Sequence, residues 1–382
     1  MNVITDTEAL AAFCAEQEAA DFIAVDTEFL RDQTYWPKLC LVQIAGPGDA
    51  VAAIDPLAPD IDLSPLYRMM DNPDVLKVFH AGRQDLEIFF HATGKVPAPI
   101  FDTQVAAMVC GFGESVSYES LVAKLAKAAV DKSSRFTDWS YRPLTDRQLA
   151  YALDDVIHLR TVYAKLRAEL ENTGRASWLD ADMAVLSDPG IYRLDPAESW
   201  RRLKLRNPKP RTLAALKEIA AWRELEAQKR DLPRGRILRD EALIELASHL
   251  PTSAAQLART RGLPGGFAEG KWGAAVLEAI GRAMALPQDQ LPKPEITADA
   301  PGNLGSTVDL LKVLLKHKSE RHGVAPRLLA TSEELERIAA GQLRLGGWRQ
   351  DLFGADAEAL RDGKLMLGIE RGRVRIHPVT DQ

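Results

Sequence analysis

The chain has 382 residues, 46% hydrophobic and 27% charged, with a formal net charge of -6 and 3 Cys. At about 100–200 residues per domain, that length provides for two or three domains with buried cores, and the composition excludes disordered and collagen-like chains. Cys14, Cys40 and Cys110 are too few and too scattered for a disulfide framework or a cysteine-rich zinc centre. No run approaches the roughly 18 apolar residues of a membrane span. The opening MNVITDTEALAAFC lacks the basic start and apolar stretch of a secretory signal. A cytoplasmic protein with no membrane partner is the expectation.

In chain order, residues 1–19 read as a short strand and a helix that Thr5 or Asp6 can cap. DFIAVDTEF, KLCLVQIAG, DAVAAIDP and DVLKVFHAG follow, each a short apolar or β-branched run bounded by turn residues, and each predicts a strand. The first three lie too close together for intervening helices and predict a meander. The short helical run LSPLYRMM precedes the fourth, and QDLEIFFHATG follows it. After Val96 the pattern is mainly helical: FDTQVAAMVCGF, SYESLVAKLAKAAV and TDRQLAYALDDVIHLRTVYAKLRAELENTG. Strands first and helices after predict an α/β domain over 1–175. Residues 176–210 form a connector ending in LRNPKPRT. From Leu213 the strands vanish, and four amphipathic helices punctuated by Pro and Gly predict a helical domain over 211–288. A Pro-rich linker (289–302) leads to a second all-helical unit (303–370), with a tail over 371–382. Both helical units run from a long helix through a Pro-containing turn to shorter helices, which suggests a diverged internal repeat.

The acidic total conceals a gradient. Residues 1–200 carry a net -14 and residues 201–382 a net +8, and the stretch from Arg201 to Arg236 alone holds 12 basic against 4 acidic residues. Arg201, Arg202, Lys204 and Arg206 open that stretch. It suits an electrostatic footprint on a polyanion, the competing reading being an ordinary solvated face.

Asp26 and Glu28 stand at i and i+2 of a strand, so their carboxylates share a face. Two carboxylates in a run otherwise suited to burial are costly unless paired, hydrogen-bonded or metal-bound. Asp85 follows the fourth strand and falls in the first turn of the next helix, where a capping role competes. Tyr151 and Asp155 share a helix face by their i,i+4 spacing. Four carboxylates of this kind could hold two divalent ions, and hard oxygen ligands favour Mg²⁺ or Mn²⁺. Such a pair clamps the attacking and leaving oxygens of a phosphodiester. Tyr151 could then orient the attacking water or assist its deprotonation.

At these residues the sequence resembles the bacterial ribonuclease D family of the DEDD exonuclease superfamily, in its tyrosine variant. DTEFLRDQTYWPKLCLVQIA carries Asp26 and Glu28, VFHAGRQDLEIF carries Asp85, and YALDD carries Tyr151 and Asp155. The segments FDTQVAAMV and DWSYRPLTDRQLAYALDD are similar to the family as well, and the helical half resembles two copies of the helicase-and-ribonuclease-D C-terminal (HRDC) domain, the second much diverged. The resemblance implies an α/β ribonuclease-H-like exonuclease domain with a mixed central sheet, followed by two all-α HRDC-like domains, arranged as a ring around a central opening. It implies hydrolysis of RNA from the 3′ end with release of 5′-mononucleotides and two divalent metals. One ion would be held by Asp26, Glu28 and Asp155, the second by Asp26 with Asp85 joining directly or through water. The implied partner is structured RNA such as a tRNA precursor with a 3′ extension, bound by a monomer.

Around this constellation, His80 ends the fourth strand and suits hydrogen-bonded support of the site or substrate contact. Gln43 is a polar residue in an apolar strand. Arg31, Tyr35 and Trp36 follow the first carboxylate strand, and Lys132, Arg135, Trp139 and Arg142 precede the third motif. Cations beside aromatics could bind backbone and stack bases, with loop packing the competing reading. Trp222 and Trp272 sit at helical spacing and predict core. GLPGGFAEGK ends in Gly-Lys, but Trp272 stands where a phosphate loop needs Ser or Thr. The carboxylates alone do not separate RNA from DNA hydrolysis, because the two differ at the 2′-OH. A DNA exonuclease therefore stays open as an alternative, as does a non-catalytic nucleic-acid adaptor. No motor domain accompanies the HRDC-like units to support helicase activity.

Overall fold

The computed structural model describes residues 3–131, 134, 137–205, 208–293 and 304–379. Lys132, Arg135 and Arg206, expected near substrate, lie outside the described residues. A six-stranded mixed sheet has the order β1-β4-β3-β2-β5-β6. Its strands are β1 (Val3–Ile4), β2 (Phe22–Leu30), β3 (Lys38–Ala45), β4 (Val51–Ile54), β5 (Leu76–Phe79) and β6 (Ile100–Asp102). β2, β3 and β4 form the antiparallel meander, and β1, β5 and β6 add in parallel. FDTQVAAMVCGF differs from its helical reading: its first residues close β6, and Asp102 then caps a helix by accepting from the backbone of Gln104.

Alternation along β2 sets the layers. Ile23 and Val25 join Val42, Ile44 and Ile54 in one core, under helices α1 (Thr7–Gln17), α2 (Ser64–Asp71) and α3 (Arg83–Thr93). The opposite face carries the small Ala24 and Ala45, and Val156, Leu159 and Tyr163 pack onto it from the long helix Asp146–Asn172. Between these lie α4 (Thr103–Val109) and α5 (Tyr118–Leu121), which makes the long helix α6. A reciprocal cap of Thr145 and Gln148 starts α6 and so fixes where its functional face begins.

The first helical unit packs α7 (Pro210–Arg230), α8 (Asp240–His249) and α9 (Lys271–Ala285) about Leu216, Ile219, Leu243, Leu246 and Ile280. Trp222 and Trp272 border that core, half-buried. The second unit packs α10 (Gly305–His322), α11 (Ser332–Ala339) and α12 (Ala355–Arg361) about Leu311, Leu314 and Phe353. Its end corrects the sequence reading: LMLGIE and RVRIHP are the strands β7 (Leu365–Glu370) and β8 (Arg373–Pro378) of an antiparallel hairpin. The segment is therefore neither all-helical to residue 370 nor a plain tail beyond it. The turn residues Arg371 and Gly372 both have positive φ, the backbone a two-residue hairpin loop requires.

Each helical unit is fastened to the α/β domain at a different place. Asp231, just past α7, accepts from the backbone amides of Tyr35 and Trp36 at 3.0 Å each. The second unit meets α4 and its following loop, where the Ala325 amide donates to the Met108 carbonyl at 2.9 Å. Trp178 and Trp348 stack there with ring centroids 4.4 Å apart.

Candidate active site

The site grows from the end of β2. The face of β2 that packs Ala24 against α6 next presents Asp26 and Glu28. The pairing of β2 with β3 shifts register between Glu28 and Phe29, an irregularity that re-aims side chains at a functional strand end. Asp155 comes down from α6 to meet them: one ligand oxygen from each of Asp26, Glu28 and Asp155 lies within 4.8 Å of the others. Tyr151, one turn earlier on the same face, stands close enough to the Asp155 carboxylate to feel its charge. All four line a cleft of about 1170 Å³.

Three converging carboxylates repel one another, and the low dielectric makes this worse. Burial first, and then the charge of Asp155, push Asp26 up to about 8. Burial, and then the charges of Asp155 and Glu28, raise the Tyr151 phenol, so it keeps its proton at neutral pH. A cation at the centre would relieve this repulsion, and an all-carboxylate donor set suits a hard divalent ion.

Asp85 is placed differently from the other three carboxylates. It sits in the first turn of α3, buried, and accepts a hydrogen bond from the Thr27 hydroxyl on the opposite face of β2. Burial, followed by the charge of Asp26, raises its pKa well above the usual carboxylate range. The approach of α3 depends on Gly82, where a Cβ would lie 2.4 Å from that of Phe79. His80 lines the cleft with its Nδ1 3.0 Å from the Thr103 hydroxyl, and burial lowers its pKa. Gln43 is cross-strand from Asp26 and fully buried, and neither of its amide atoms has a hydrogen-bond partner among the described residues.

Residues 1–171 match a family model described as a 3′–5′ exonuclease, and residues 212–280 match one described as an HRDC domain. The chain is 50% identical over 380 residues to ribonuclease D of Gluconacetobacter diazotrophicus, an alignment covering 98% of this chain and 96% of that one. It is also 50% identical over 380 residues to ribonuclease D of Nitrobacter hamburgensis, covering 98% of each. The crystal structure of Escherichia coli RNase D, described as an exoribonuclease involved in structured RNA processing, superposes with a TM-score of 0.80 at 33% identity, covering 95% of this chain and 99% of that one. The chain belongs to the ribonuclease D family. It is a metal-dependent 3′–5′ exoribonuclease.

The surroundings of the site in this ribonuclease D family member show which expected contacts are already engaged. Arg31 lines the cleft, but its guanidinium pairs with Glu87 through two 2.8 Å bonds. Tyr35 is turned away from the cleft and 5% exposed. Its hydroxyl donates to Glu224 and accepts from Arg234 and Gln228, all in the first helical unit. Trp139 walls the cleft near Tyr151, with ring centroids 6.1 Å apart. Arg142 grips both oxygens of Asp55 at 2.7 Å and the carbonyls of Cys40 and Trp139, so its donors serve the fold. Arg201 is exposed and pairs with Glu198, Arg202 lies 3.8 Å from Glu224, and Lys204 is exposed. Two residues went unflagged in the sequence, Tyr118 in the cleft and Asp102 outside its lining. Tyr118 donates to the Asp155 backbone carbonyl, its ring 5.4 Å from that of His80, and no spacing rule ties it to either. Asp102 accepts from the amides of Ala81 and Gly82 and fixes the turn after β5; an Asp just before a helix was its one signal.

Proposed function

We propose that this exoribonuclease trims structured RNA, such as tRNA precursors with a 3′ extension, by two-metal hydrolysis that releases 5′-mononucleotides. The convergence of Asp26, Glu28 and Asp155 beside Tyr151 in one open cleft carries this reading. Asp26, Glu28 and Asp155 would hold one Mg²⁺ or Mn²⁺, and Asp26 a second, with Asp85 joining directly or through water. Such ions supply neutralisation of the scissile phosphate and activation of water. Tyr151 keeps its proton and, beside Asp155, orients the attacking water. His80, held by Thr103, supports the terminal nucleotide, while Trp139 and the Phe29–Gln33 wall shape the space around it. Arg31 reaches phosphate by exchanging Glu87 for it. Arg201, Arg202, Lys204 and Arg206, with Lys132 and Arg135, supply positive charge along the route of the RNA.

The protein acts as a monomer, and three cysteines that form no disulfide suit the cytoplasm. Among the described residues, no helix is long and apolar enough to cross a membrane. Matched RNA and DNA oligonucleotides, alongside a 3′-extended tRNA, test the substrate assignment. The expected result is faster nucleotide release from RNA and a stop near the mature tRNA end; faster release from DNA would overturn it.

A further inference from the structure

A second concavity lies in the first helical unit, away from the carboxylates. It measures about 460 Å³ and is walled by Arg202 of the connector, Arg223 of α7, Arg234 after α7, and Arg239, Asp240 and Glu241 at the start of α8. Four guanidinium groups thus meet around one hollow. Three carboxylates stand against these four cations: Asp240 and Glu241 line the hollow, and Glu224 pairs with Arg234 and lies 3.8 Å from Arg202. Glu224 is committed to Arg234 and to Tyr35 in the α/β domain, and Asp240 pairs with Arg223 but is 62% exposed toward solvent.

Three further observations point to an anion. Arg223 is 1% exposed, and its Nε has no hydrogen-bond partner among the described residues. The ten-residue helix α8 begins at this hollow with Arg239 as its N-cap and no side-chain cap, which leaves its first-turn amides to other acceptors, and Asp240 and Glu241 are the negative charges of that turn. Burial first, and then the charge of Arg234, lower the pKa of Arg202, and the charge of Glu224 offsets part of this. Guanidinium forks and helix N-termini share one preferred ligand, a phosphate oxygen pair.

We infer that the hollow between the connector and the start of α8, lined by Arg202, Arg223, Arg234 and Arg239, is a phosphate-binding site of the first helical unit. The phosphate comes from the RNA backbone or from a phosphomonoester such as a released nucleotide. The first source rests on the RNA reading proposed above; the site itself does not. Arg234 also donates to the Tyr35 hydroxyl at 2.9 Å, which places the hollow one side chain from the loop that follows the carboxylate strand.

Binding by the full chain in EDTA tests this without catalysis. The probes are a labelled RNA of about 30 nucleotides over a salt series, and separately AMP and inorganic phosphate in thermal melts. Arg239 is exposed, so Arg239→Ala leaves the fold intact, and Arg239→Lys restores the charge. An RNA-backbone phosphate predicts that Arg239→Ala weakens RNA binding about tenfold and lowers the salt slope by about 1, with partial rescue in Arg239→Lys. A phosphomonoester predicts unchanged RNA binding, with AMP or phosphate stabilising the wild type and not Arg239→Ala. Either result supports the site. It is overturned if Arg239→Ala and the Arg202→Ala/Arg239→Ala double variant bind RNA, AMP and phosphate as the wild type does. Nucleotide release by the wild type in Mg²⁺ reads the exoribonuclease assignment separately.

Discussion

Lowering the pH from 8 to 6 should loosen the grip of this protein on divalent metal far more than an ordinary carboxylate site would allow. Asp26 stands at about 8 in the metal-free fold because burial and the neighbouring Asp155 disfavour its charged form. A metal ligand must be ionised. With that pKa, the ionised fraction is about one half at pH 8 and about 1% at pH 6, so affinity falls about 50-fold, or roughly 2.3 kcal/mol. A carboxylate near its usual value of about 4 would stay ionised throughout and lose almost nothing. Calorimetric titration of Mn²⁺ into the full chain, in buffers of different ionisation enthalpy, reads both numbers. At pH 7 close to one proton, about 0.9, should leave on binding. Stability has the matching sign. The folded pKa lies above the unfolded one, so the native state holds a proton that the unfolded chain releases between about pH 4 and 8, and metal-free stability declines as pH rises through that window. Mg²⁺ should therefore raise the melting temperature more at pH 8 than at pH 6. Equal Mn²⁺ affinity at the two pH values, with no proton release, would refute this account of the cluster.

Under the role proposed for Tyr151, Tyr151→Phe should lower kcat by about 10²-fold while Mn²⁺ affinity holds, because the hydroxyl would orient water without being a ligand. An equal loss of metal affinity would move Tyr151 into the metal site. Tyr35→Phe removes a donor from buried Glu224 and should cost about 1–2 kcal/mol at the domain junction. Hydrogen exchange at the Tyr35 and Trp36 amides, which Asp231 accepts, should then quicken, and unchanged protection would show that the hydroxyl does not fasten the units. Gly111→Ala places a Cβ 2.6 Å from the Gly323 carbonyl oxygen at a φ of +80°. It should release the second helical unit from α4 and expose its core to exchange, and wild-type protection there would contradict this docking.

The legible parts of the sequence were those governed by short-range periodicity. DFIAVDTEF has the period of a strand, and alternation alone put Asp26 and Glu28 on one face with Thr27 on the other. The i,i+4 spacing likewise aligned Tyr151 with Asp155. Distant pairing decided the rest. Tyr35 beside Arg31 resembles a substrate platform until Glu224, Asp231 and Arg234, nearly two hundred residues later, bury it. Arg142 has the same composition signal, and Asp55 claims it. The terminal hairpin was readable in principle, since RVRIHP alternates and follows Arg-Gly, but the preceding helical pattern of LFGADAEALRDGKLML masked it. Asp85 falls in the first turn of its helix as the pattern predicts, but its contact with Thr27 and its nearness to Asp26 depend on how α3 packs, which no local pattern encodes.

The most direct test of the central claim follows product release from a 5′-labelled RNA carrying a 3′ extension, in Mg²⁺ or Mn²⁺, by the wild type and by Asp26→Asn. Stepwise shortening from the 3′ end, with 5′-mononucleotides as the small product, is the predicted wild-type result. Asp26→Asn should bind the RNA and leave it intact, because a carboxylate of the cluster has lost its charge. Internal cuts, release from the 5′ end, or full activity in Asp26→Asn would contradict metal-dependent 3′–5′ hydrolysis at this cleft.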